Sequence, residues 1–133
     1  MYEVRVESEF AAAHFLSDYN GKCENLHGHN YRVRAFVKGF ALAEGGMLLD
    51  FAKLKNALRK ICGTLDHKNL NEISAFQNNP SAERIAKFIF DGLSNELHLP
   101  TTSNDARATS ENFFLHAVEV FETATSMARF SND

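Results

Sequence analysis

The fold is read from His27-Gly28-His29-Asn30-Tyr31-Arg32-Val33-Arg34-Ala35-Phe36-Val37-Lys38. Over residues 29–38, Tyr31, Val33, Ala35 and Val37 alternate with Arg32, Arg34 and Lys38, the period of a half-buried antiparallel strand. Residues 2–10 carry the same pattern, with Tyr2, Val4, Val6, Ser8 and Phe10 on one side and Glu3, Arg5, Glu7 and Glu9 on the other. The stretch between them, with Asp18, Asn20, Gly21 and Asn25, reads as a polar loop. The two strands are therefore expected to pair antiparallel.

Beyond residue 50 the period changes. Asp50 caps a helix whose apolar stripe is Phe51, Leu54, Leu58, Ile61 and Leu65. A second helix is expected from Asn79-Pro80, with Asn as cap, Pro at the first helical position and Glu83 in the first turn. Its stripe runs Ile85, Ala86, Ile89, Leu93 and Leu97, and Pro100 with the polar residues 101–105 ends it. Residues 98–112 read as a loop with room for one helical turn. Residues 117–121 and 125–130 return to strand, the last as an edge. The expected architecture is α+β: a four-stranded antiparallel sheet with two helices inserted between strands 2 and 3, covering one face.

A chain of 133 residues makes one domain, 1–133. The net charge of −3, from 14 Lys+Arg and 17 Asp+Glu, argues against a nucleic-acid module. No apolar run approaches the ~18 residues of a membrane span, and residues 1–5 lack the apolar core of a signal peptide. Two cysteines distant in sequence form no disulfide framework, so a reducing cytoplasm is expected.

Three of the six histidines fall close together. His27 and His29, two apart on a strand, share a face with Cα atoms roughly 6.6–6.8 Å apart, with Gly28 read as permitting close backbone approach. His14 lies just past the first strand. Three neutral imidazoles leave a Zn²⁺ ion an open position, the arrangement of a catalytic site. A lone His-x-His reads equally well as a surface pair; the third histidine and Cys23 favour the metal. A thiol beside a dication has a depressed pKa and serves as base or nucleophile; the competing reading of Cys23 is a small buried hydrophobe. Cys62, within the first helix, is read as buried. Asp66-His67 reads either as an acid–base pair or as a helix-end loop. Glu122 has the parity of Val118 and Val120, so its carboxylate either reaches solvent at the strand end or lines a pocket. His98 and His116 are read as structural.

Ala12-Ala13-His14, Cys23-x-x-x-His27-Gly28-His29-Asn30-Tyr31, Leu48-Leu49-Asp50-Phe51, Leu65-Asp66-His67, Asn79-Pro80-Ser81 and Phe121-Glu122-Thr123 together resemble the 6-pyruvoyl/6-carboxy-tetrahydropterin synthase family, from about residue 4 to residue 130. The resemblance implies the tunnelling fold, in which sheets from several subunits join into a barrel with pterin sites between subunits, as a homo-oligomer, a hexamer. It implies zinc on His14, His27 and His29, Cys23 as general base, Asp66 and His67 completing a proton-transfer triad, and Glu122 anchoring the pterin ring. The implied substrate is 7,8-dihydroneopterin triphosphate. Three residues between Cys23 and His27 match the bacterial branch that makes 6-carboxy-5,6,7,8-tetrahydropterin on the way to queuosine; the pyruvoyl-forming branch has a longer spacing. A third branch uses a glutamate where Glu24 stands, a secondary feature here beside Cys23. The alternatives are the pyruvoyl-forming synthase and a pterin-binding protein without catalysis, the latter disfavoured because every expected position is filled. Phe15 replaces a residue that is often basic in relatives, and Lys22, Arg32 and Arg34 read as solvated surface.

Overall fold

Alternation along β1 (Tyr2–His14) and β2 (His27–Gly39) builds one long antiparallel ladder, from Tyr2 opposite Gly39 to His14 opposite His27. The computed structural model describes residues 1–17 and 24–133. β1 continues four residues beyond the expected end at Phe10. On its inner side β2 pairs with it throughout. On its outer side the main-chain groups of Ala11 are taken up: the Asp66 carboxylate accepts the Ala11 N–H at 2.9 Å, and the His67 N–H donates to the Ala11 carbonyl at 2.6 Å.

After residue 50 come α1 (Phe51–Gly63), the two-residue β3 (Lys68–Asn69) and α2 (Ala82–Leu97). Then α3 (Ser103–Ala108), β4 (Phe113–Thr123) and β5 (Ser126–Phe130) complete the chain. The sheet has five strands among the described residues, in the order β3-β1-β2-β4-β5. The expected count of four is corrected by β3, which pairs parallel with Ala12 and Ala13. A two-residue strand carries no periodicity to read; it exists because Asp66 and His67 deliver it to the edge of β1. The class, α+β with helices on one face, stands as expected. α1 lies over β1, α2 over β4 and β5, and the two helices touch.

Asp50 caps α1 as expected, its Oδ1 accepting the Ala52 N–H at 2.9 Å. The helix ends at Gly63, so Leu65 is buried from the turn that follows, not from the helix. α2 starts later than expected, with Ser81 as cap, its Oγ accepting the Arg84 N–H. Asn79 is used elsewhere: its side-chain oxygen accepts the Ser17 N–H at 2.7 Å. A residue before proline is biased to extended backbone, which keeps Asn79 outside the helix. Residues 98–112 do contain helix, the short α3.

Val6, Phe10, Tyr31, Val33, Ala35, Val37, Val118 and Val120 face the helices and meet Leu54, Leu58, Ile85, Ile89, Phe90 and Leu93 in one core. The other face carries charge. Arg34 donates to Glu7 at 2.8 Å and stacks over Phe121, Arg129 donates to Glu119 at 2.8 Å and stacks over Phe36, and Arg32 lies 3.8 Å from Glu7. Among the described residues no helix is long and apolar enough to cross a membrane.

Candidate metal centre

The register of β1 and β2 assembles the histidines. His14 is the last residue of β1, not beyond it, and stands directly opposite His27; His29 stands opposite Ala12. Residues two apart on a strand share a face, so Phe10, Ala12 and His14 meet His27, His29 and Tyr31 on the helix side of the sheet. The three imidazoles lie edge to face with centroids 4.7–5.0 Å apart, and one nitrogen from each falls within 4.8 Å of the others. Gly28 does not owe its place to close approach: a Cβ there would lie 3.5 Å from the Ala12 carbonyl oxygen, ordinary contact.

Hydrogen bonds outside the cluster set the tautomers. His14 Nδ1 lies 2.9 Å from the Pro80 carbonyl and His27 Nδ1 lies 2.7 Å from the Asn25 carbonyl. A carbonyl only accepts, so each Nδ1 carries a proton, and in the neutral ring each Nε2 presents a lone pair. Burial holds the His29 pKa below the ordinary imidazole value, against the opposing pull of Glu122, which favours the neutral ring a metal needs. The Nε2 atoms of His14 and His29 are buried without a hydrogen-bond partner. Orphaned buried nitrogens of this kind cost about 1–3 kcal/mol each. A divalent cation removes that cost, and three imidazole nitrogens are a donor set such a cation accepts. These residues fit a metal.

Glu122 lines this cluster. Its Oε1 is 3.1 Å from His14 Nε2 and 3.5 Å from His29 Nε2, with the side chain 32% exposed. Of the two readings open for it, pocket and solvent, the structure shows a carboxylate turned to the histidines and still part-exposed. Tyr31, fully buried, stacks on Phe10 at 4.8 Å and presents its ring to His14 and His29 at 5.9 and 5.5 Å. It closes the floor of the site and was legible only as the next residue on the face of His29.

Chain segments around the cluster are tied by amides. Asn71 brackets Phe15, accepting its N–H and donating to its carbonyl, both at 2.8 Å. Glu24 accepts the Leu16 N–H at 3.0 Å, so its carboxylate is engaged in holding the strand end. Cys23 and Lys22, both candidates from the sequence, lie outside the described residues. Cys62 is buried, its thiol pushed up to about 12 by desolvation. His98 ends α2 in a left-handed conformation and His116 sits half-buried in β4, neither in the cluster.

Asp66 and His67 form a pair, Oδ2 to Nδ1 at 2.9 Å, with His67 in a left-handed conformation at φ 57°. The carboxylate can only accept, so His67 holds its proton on Nδ1 and exposes Nε2. The pair lines a groove of about 470 Å³ with Glu9, Phe10, Ala11 and Asn30. Glu9, Ala11 and Asn30 have the opposite parity to His14 and His29, so within one chain the pair opens on the other face of the sheet. The Ala11 N–H, then the His67 ring, hold Asp66 below the usual carboxylate range. Its contribution to stability is therefore present above about pH 4 and lost as pH falls, when the unfolded chain takes up the proton first. Asp66→Asn is expected to flatten the fall in melting temperature between pH 5 and 3. An unchanged slope in pH-dependent thermal melts refutes the assignment.

The sequence and the fold are matched by known proteins. The family described as 6-pyruvoyl tetrahydropterin synthase matches residues 3–133. The chain belongs to this family. A 6-carboxy-5,6,7,8-tetrahydropterin synthase of Synechocystis is 38% identical over 98% of this chain and 93% of that protein. The enzyme of that name from Bacillus subtilis is 32% identical over 77% of this chain and 71% of its own. Among solved structures, the 6-pyruvoyl tetrahydropterin synthase of Caenorhabditis elegans superposes with a TM-score of 0.77 at 26% identity, covering 99% of this chain and 96% of that one. The tunnelling fold expected from the resemblance is thus the fold of this family member.

Proposed function

We propose that this chain is a zinc-dependent carbon–carbon lyase. It converts 7,8-dihydroneopterin triphosphate to 6-carboxy-5,6,7,8-tetrahydropterin, releasing acetaldehyde and triphosphate, in 7-deazapurine and queuosine biosynthesis. The observation that carries this reading is the cluster of His14, His27 and His29 with lone pairs converging, in a chain 38% identical to a protein of that name. Zinc would be held by those three nitrogens and would act as a Lewis acid on side-chain oxygens of the substrate.

The residues have separate tasks. Pro80 and Asn25 hold His14 and His27 in the ligating tautomer through their carbonyls. Cys23 takes a proton from the substrate carbon skeleton. Asp66 orients His67, whose exposed Nε2 gives or takes the balancing proton. The Glu122 carboxylate accepts paired N–H bonds from the pterin ring. Because Asp66 and His67 open on the face opposite the histidines, the complete site is proposed to form between copies in a homo-oligomer, a hexamer in this family. The outer edge of β1 before Ala11 and the edge strand β5 are open among the described residues, and open edges favour assembly.

Mass-spectrometric product analysis, with zinc-loaded and chelator-stripped protein side by side, tests the reading. Zinc-dependent 6-carboxy-tetrahydropterin with acetaldehyde is expected. A 6-pyruvoyl product, the reading favoured by the likeness to the C. elegans structure, keeps the site and overturns the branch. Bound pterin without turnover makes the chain a binding protein. Cys23→Ala is expected to retain metal and pterin binding while turnover falls roughly 10²–10⁴-fold, the usual share of a proton-transfer group; wild-type turnover removes the base role.

A further inference from the structure

Glu122 stands in an arrangement that its proposed pterin contact leaves unexplained. Its Oε1 is 3.1 Å from His14 Nε2, yet that nitrogen has no hydrogen-bond partner. The distance is that of a hydrogen bond; the angles are not. In the neutral, ligating form of His14 the proton is on Nδ1, facing Pro80, so Nε2 and the carboxylate oxygen confront each other as two acceptors. The same oxygen is 3.5 Å from His29 Nε2, the other orphaned buried nitrogen. Acceptors crowded together in a desolvated place repel unless a cation stands between them.

The spacing has a simple source. Two ligands each about 2.0–2.1 Å from one ion at the tetrahedral angle are roughly 3.3–3.4 Å apart. The separations of Glu122 Oε1 from the two nitrogens fall on either side of that value. The backbone supports the placement: Glu122 sits where the β4–β5 register shifts, between Phe121 and Thr123, and it shares the parity of Val118 and Val120 that turns it to the helix side.

We propose that Glu122 is a fourth ligand of the metal centre in the substrate-free protein, an anionic oxygen beside three neutral imidazoles. The proposal rests on the metal-centre reading above. It makes the resting site an N₃O set with net charge +1 instead of +2, and the carboxylate is free to turn to the pterin once substrate oxygens take its place.

The test uses the full chain, with Zn²⁺ titrated against a chromophoric chelator and Co²⁺ as spectroscopic probe. Glu122→Gln keeps the shape and removes the anion, and Glu122→Ala removes both; far-UV circular dichroism checks folding, and the glutamine variant carries the test if the alanine variant is unfolded. Wild type should bind one ion per chain. Both variants should bind Zn²⁺ roughly 10–100-fold more weakly, and the visible Co²⁺ bands should shift as water replaces carboxylate. Wild-type affinity and unshifted bands in Glu122→Gln overturn the proposal and leave the three-histidine centre standing. Absence of stoichiometric metal from the wild type overturns both.

Discussion

His29→Ala is expected to leave the chain folded but without stoichiometric metal, and to lower turnover by roughly 10³-fold or more, since Lewis-acid stabilisation of the transition state is worth several kcal/mol. The reasons lie in its surroundings. His29 is one of three nitrogens that converge within 4.8 Å, and its Nε2 bonds to nothing else. Its side chain is 20% exposed at the rim of the sheet, so truncation opens a notch to solvent and not a closed cavity. His14→Ala should lose the metal too, with an added stability cost: His14 is 2% exposed and also donates to the Pro80 carbonyl, so its loss strands a buried acceptor worth about 1–3 kcal/mol. Metal analysis of the dialysed variants, paired with thermal melts, separates the two. Stoichiometric metal in His29→Ala would sink the ligand assignment, and equal melting temperatures for the two variants would sink the structural role of His14.

Phe90→Ala should produce the largest loss of stability. Phe90 is 1% exposed on α2 and meets Phe130 of β5 edge to face at 4.9 Å, so it is the clasp between the helix layer and the edge strand. Phe→Ala in a packed core costs about 3–5 kcal/mol, a large share of the roughly 5–15 kcal/mol that holds a domain together. The melting temperature should fall by on the order of 10–20 °C. Phe51→Ala is the control: Phe51 begins α1 but is 57% exposed, and its loss should change stability by about 0.5 kcal/mol or less. A fall of similar size in both variants would mean that the core does not lie where the burial places it.

The ease with which β1 and β2 are read, against the difficulty of β3, has a physical origin. Glu3 to Phe10 and Tyr31 to Lys38 each lie between water and a core, so solvent itself writes the period of two into the sequence. β3 has two residues and no such record. The start of α2 is ambiguous in the sequence for a related reason. Asn79, Pro80 and Ser81 offer two cap residues, and a contact 62 positions away, the Ser17 N–H on Asn79, decides that Ser81 caps.

By itself the sequence determined the α+β class, the two amphipathic helices and the three histidines as a candidate ligand set, because periodicity and the spacing of His27 and His29 are local properties. Only the tertiary structure decided which nitrogen of His14 and His27 is free, since that depends on the Pro80 and Asn25 carbonyls. It alone turned Glu122 from a strand-end carboxylate into a neighbour of the histidines, and it placed Asp66 and His67 on the opposite face of the sheet. Each of these rests on a strand register or a hydrogen bond between distant segments, and a one-residue change of register would exchange the two faces of the sheet.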